Sequence, residues 1–130
     1  MATLADLDRI ALALPEVERW ETDGRVGYGA FGKAFCYHRE PRKDALGPDG
    51  ERLTDVLVFR TAGREGKELA LASGPPFFTT PHFNGYPAVL ARIADLAQLD
   101  EETLRETVVE AWLTRAPKRV AKAWLAAEGG

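Results

Sequence analysis

Cysteine, histidine and methionine are scarce in this chain of 130 residues: there is one cysteine, Cys36, two histidines, His38 and His82, and the single Met1. One cysteine excludes an intramolecular disulfide and points to a reducing cytoplasm. So few soft ligands give no basis for a transition-metal site, and no cofactor is expected. No apolar run approaches the roughly 20 residues needed to cross a bilayer, so no membrane partner is expected. The opening MATLADLDRI carries acids where a secretion leader would carry bases. The expectation is an untargeted cytoplasmic protein. Positive charge is not in excess either: the formal net charge is −3, which counts against a protein that coats nucleic acid non-specifically.

What is present is the composition of an ordinary folded domain, 45% hydrophobic and 28% charged, in a chain long enough to bury a core without a covalent staple. Thr3 and Asp6 form a capping pattern, and Leu4, Leu7, Ile10, Ala11 and Leu14 follow at helical spacing up to Pro15. Val17–Thr22 reads as a short strand with Trp20 on its apolar face. In VGYGAFGKAFCYH, apolar residues alternate on both sides of a turn near Gly32-Lys33, which predicts a β-hairpin.

Residues 39–54, REPRKDALGPDGERLT, mix both charges around a Pro-Asp-Gly turn and predict an exposed hairpin tip. Val56–Thr61 predicts an interior strand, Arg64–Ala72 a weak helix weakened further by Gly66, and Phe77–Thr80 a further strand. Asn84-Gly85 predicts a turn, and Val89, Ala91 and Ile93 alternate as in a strand. Asp100 followed by Glu101 and Glu102 predicts a helix start, with Leu104, Val108, Ala111 and Trp112 as its buried stripe. Pro117 opens a last helix in which Val120 and Trp124 face the core. The order implies one α+β domain spanning residues 1–130: an antiparallel sheet with an N-terminal helix, a short middle helix and two closing helices.

Several motifs bear on chemistry. Gly27–Gly32, GYGAFG, satisfies the spacing of a dinucleotide-binding loop, but strand continues after it where a helix would have to receive the phosphates. The glycines read instead as places where another group approaches a hairpin closely. Cys36 and His38 share a strand face but stand roughly 6 to 7 Å apart along it, too far for one to activate the other. No catalytic constellation can be assembled, and a non-enzymatic protein is expected.

Residues 114–124 contain Arg115, Lys118, Arg119 and Lys122 and no acid, so this stretch carries +4 and the remainder −7. If Arg115 continues the closing helix, the four cations share one face. If a new helix begins at Pro117, Lys118 and Arg119 lie at its positive end and would gain from an anion. With Lys33, Arg42 and Lys43 they form the candidate nucleic-acid contacts. The densest run, FFTTPHFNGYP, supplies a candidate aromatic pocket for a small ligand from Phe77, Phe78, Thr80, His82, Phe83 and Tyr86, with Trp112.

The layout resembles the MmcQ/YjbR family of small bacterial proteins. The resemblance is carried by ALPEVE, GRVGYGAFGKAF, DVLVFRT, PPFFTTPHFNGYPAVLARI and DEETLRETVVEAWLTRAPKRV, in that order. Gly32, Lys33, Thr80, Pro81, His82, Tyr86, Trp112, Lys118 and Arg119 fall in its characteristic segments, and the charged tip at residues 39–54 departs from its compact pattern. The resemblance implies a frataxin-like or secretion-chaperone-like fold of double-wing type and a double-stranded DNA partner met through phosphate contacts. It implies no catalytic set. Small-molecule sequestration and a chaperone-like interaction module are the alternatives, and the chain is expected to be a monomer or homodimer.

Overall fold

The computed structural model describes residues 1–129. Five antiparallel strands form one sheet in sequence order: β1 (Val17–Thr22), β2 (Arg25–Ala30), β3 (Lys33–His38), β4 (Val56–Arg60) and β5 (Ala88–Arg92). Helix α1 (Leu4–Leu12) precedes the sheet, α2 (Gly63–Ala72) joins β4 to β5, and α3 (Glu101–Leu113) and α4 (Lys118–Gly129) close the chain. This is the α+β single-domain architecture expected. Two short 3₁₀ helices, Pro81–Phe83 and Ile93–Gln98, stand where a loop and the end of a strand were expected.

The helix starts follow their capping residues. Thr3 and Asp6 make a reciprocal capping box on α1, and the Asp100 carboxylate accepts the Thr103 N–H at 2.7 Å at the start of α3. Leu104, Val108, Ala111 and Trp112 are all buried, as the periodicity requires. Leu4 is the exception on α1: it is exposed. Helix α2 has no side chain of its own at the N-cap; the Glu110 carboxylate of α3 takes the Ala62 N–H at 2.8 Å instead.

The register fixes what each sheet face carries. One row runs Trp20, Gly27, Tyr37, Val58, Leu90, each paired to the next, and ends on a bridge from Leu90 to Phe78. The alternate row, Arg19, Tyr28, Cys36, Phe59, Val89, looks to the other side. That second face carries the main core, where Leu7, Ile10, Leu104, Val108 and Trp112 cover Phe35, Leu57, Phe59 and Ala91. The first face carries a smaller cluster of Ala45, Val56, Val58, Phe83, Ala88 and Leu90. A bulge between Tyr28 and Gly29 interrupts the β2–β3 register.

Two sequence expectations need correction. Phe77–Thr80 is no strand: it makes a single bridge, through paired Phe78 and Leu90 backbone bonds of 2.9 Å each. The β2–β3 turn sits at Phe31-Gly32, both with positive φ (55° and 83°), one residue earlier than the composition suggested. The tip at residues 39–54 is exposed at most positions, but it is pinned. Arg39 and Ala45 are buried in it, and Asp44 receives Arg39 at 2.9 and 3.2 Å and the Thr80 hydroxyl at 2.6 Å.

Candidate functional site

The sheet face opposite the main helices is only partly covered. Across β1 to β3 its floor is glycine: a Cβ built on Gly27 would lie 2.4 Å from the Trp20 ring, and one on Gly29 3.0 Å from it. Trp20 therefore rests on backbone and keeps 41% of its surface exposed, which the expectation of an apolar strand face understated. The close-approach reading of GYGAFG is correct, and the approaching group is this indole.

Arginines border that floor on both sides of the Tyr37 row. On one side, Arg25, Arg39 and Arg42 line a cleft of about 380 Å³ with Trp20, Gly27 and Tyr37. Arg39 is neutralised by Asp44 and its guanidinium lies 5.0 Å over the Phe83 ring. Arg25 and Arg42 have only loose acids, at 3.8 and 3.9 Å for Arg25 and 3.5 Å for Arg42. On the other side, Arg60 leaves the end of β4 and stacks 4.8 Å over Tyr86. Arg115 reaches across from the α3–α4 junction, and its Nε donates to the Ala34 carbonyl at 2.9 Å.

Arg60 and Arg115 take part in no ion pair among the described residues. The Arg60 Nε is buried with no hydrogen-bond partner among those residues. Burial, and after it the nearby Arg60 charge, lowers the Arg115 pKa from its ordinary value. An arginine remains charged under such pressure. The Arg60 charge thus acts on Arg115 while neither guanidinium has an ion pair; the Glu110 carboxylate lines a cleft with Arg60 but is engaged by the Ala62 N–H, so an anion would add a partner that both arginines lack.

The other expected cations distribute differently. A new helix begins at Lys118, so Arg115 is not on the α4 face and the continuous four-cation stripe does not form. Lys118, Arg119 and Lys122 are exposed on α4, whose Val120 and Trp124 pack against the main core. Lys33 is exposed beside the β2–β3 turn and Lys43 on the tip. Arg42 is the one tip residue of the expected set that reaches the cleft.

The expected aromatic pocket is not one space. Phe77 meets Phe59 edge-on at 6.5 Å in the main core, where Trp112 is wholly buried against Trp124 and Phe31. Phe78 and Phe83 belong to the cluster on the opposite face, and Thr80 holds Asp44. His82 is exposed with its ring edge-on to Phe83, and Tyr86 is exposed beneath Arg60. Consecutive phenylalanines straddle the sheet, so the sheet itself separates the proposed walls.

Cys36 is buried, which pushes its thiol pKa upward, and His38 donates to the Thr54 carbonyl at 2.6 Å. Among the described residues no three His, Cys, Asp or Glu side chains gather as a metal ion would require, and no helix is long and apolar enough to cross a membrane. Trp20, Arg25, Arg39 and Arg60 were not singled out as site residues by sequence. The one available signal was Arg60 itself, a cation closing the apolar strand VLVFR.

The chain is 40% identical over 141 aligned positions to the uncharacterized protein Rv2570 of Mycobacterium tuberculosis, with 99% of this chain and 100% of the relative covered. The same identity and coverage hold for the uncharacterized protein Mb2600 of Mycobacterium bovis. The chain belongs to the family of these mycobacterial proteins. No family model and no solved structure matches the chain.

Proposed function

We propose that the chain is a non-enzymatic nucleic-acid-binding protein of the MmcQ/YjbR type, and that it holds phosphates on the arginine-bordered sheet face and not along α4. The observation that supports this reading is Arg60 and Arg115, two cations with no ion pair among the described residues, one of them with a buried unpartnered N–H. Arg25 and Arg42 supply further charge across the Tyr37 row, about four residues and so roughly 13 Å along the strands. Trp20 offers a ring face that an unpaired base can stack on, a contact that a base inside a duplex cannot make. A cytoplasmic location fits this reading, since nucleic acid and the reduced Cys36 thiol occur there together.

The test is fluorescence anisotropy with labelled single-stranded and duplex DNA of the same sequence across a salt series. Binding should weaken steeply with salt, the single strand should bind more tightly, and Arg60→Gln with Arg115→Gln should lower the salt slope by about 2. Replacing Lys118, Arg119 and Lys122 by glutamine should leave the slope unchanged. Absence of binding at low salt, or a slope untouched by the arginine exchanges, would sink the proposal.

A further inference from the structure

A second, separate cleft lies between α2 and the turn that precedes β5. Its volume is about 530 Å³, and Leu71, Pro87 and the Tyr86 ring give it mostly apolar walls. Lys67 and Thr79 line it as well. Both side chains present an unexplained feature.

Lys67 is the one charged residue of α2 that points inward, and only 8% of its surface is exposed. Its Nζ donates to the Phe83 carbonyl at 2.5 Å and to the Tyr86 carbonyl at 2.8 Å. These bonds hold the Asn84-Gly85 turn, and a structural pin needs no more. An ammonium carries three N–H donors, however, and the third finds no acceptor among the described residues. No carboxylate pairs with it among the described residues, since Glu68 at the rim is engaged by Arg64 at 3.5 Å. Burial accordingly lowers the Lys67 pKa from its ordinary value. The Thr79 hydroxyl oxygen is buried with no hydrogen-bond partner among the described residues.

A buried cation without a counter-charge and a buried hydroxyl without a partner both cost stability in an isolated protein. Having both on the wall of one apolar cleft is the pattern of a binding site: apolar walls with a few polar groups that fix orientation. We propose that this cleft binds a small, flat organic carboxylate, its apolar body against Leu71 and Tyr86 and its carboxylate accepting from Lys67 and Thr79. The carboxylate would supply the counter-charge that the fold withholds. The proposal does not rest on nucleic-acid binding, because neither Lys67 nor Thr79 belongs to the arginine-bordered face.

The probe is 2-naphthoate, with the neutral 2-naphthamide as its control, followed by amide chemical shifts of the intact labelled chain. Saturable shifts should appear at Lys67, Leu71, Thr79, Gly85 and Tyr86, and the amide should bind at least about tenfold more weakly because it cannot satisfy the ammonium charge. Thr79→Val removes the hydroxyl at constant shape, so it should leave the melting temperature unchanged or higher while weakening naphthoate binding by about three- to tenfold. Lys67→Met should abolish binding if it folds; should it not fold, the valine variant decides alone. Shifts that never saturate, shifts mapping elsewhere, equal affinity for acid and amide, or full affinity in the valine variant would each overturn the proposal.

Discussion

Asp55 ties the end of the tip segment to the end of β5. Its carboxylate accepts the Ala94 N–H at 3.0 Å and the Arg92 Nε at 2.9 Å. Burial alone would raise its pKa, but these two donors outweigh burial and hold it below the ordinary carboxylate value. A folded-state pKa below the unfolded one contributes stability that is fully present above the unfolded value near 3.9 and is lost as pH falls through the lowered one. Asp55→Asn should therefore destabilise the chain by about 1–3 kcal/mol at neutral pH and flatten the acid limb of a stability–pH profile measured by urea denaturation. Asp44 acts in the same sense in the tip: burial opposes ionisation, and Arg39 with Thr80 overcomes it.

At the scale of elements, the β1–β2 hairpin is a platform for one indole. Gly27→Ala would put a methyl 2.4 Å from the Trp20 ring, so the ring must leave its seat. The expected result is a loss of about 1–3 kcal/mol in denaturant unfolding together with a red shift of the Trp20 contribution to the emission spectrum. Elements with a local signal were legible from sequence. The capping residues Thr3 and Asp100 mark two helix starts, and the stripe Leu104, Val108, Ala111, Trp112 marks a buried face. Elements whose form depends on distant partners were not. Phe77 and Phe78 alternate as strand residues do, yet the chain passes over the sheet margin, so each ring enters a different layer and only one bridge forms. Phe31 hid the turn, since a phenylalanine rarely adopts positive φ; here it does so with its ring 6.5 Å from that of Trp112.

At the scale of the whole molecule, the candidate face is assembled from positions 25, 39, 42, 60 and 115, which only the strand register and the α3–α4 junction bring together. A contiguous run such as residues 114–124 is conspicuous in sequence but its members diverge, because Thr114 ends one helix and Lys118 begins another. Charge density along the chain is a poor guide to charge density on a surface. The same register also governs how the sheet ends. At β5 the Phe78 bridge occupies the outer hydrogen-bonding groups of Leu90, whereas β1 is an open margin with every residue after Val17 exposed. If two copies of VERWET paired antiparallel about their centre, Glu18 of each would face Glu21 of the other, and like charges directly opposite disfavour pairing. In that register the carboxylates of the open margin oppose its pairing with a second copy. Glu18→Thr with Glu21→Thr should remove that repulsion and raise thioflavin-positive aggregation on standing above that of the unsubstituted chain.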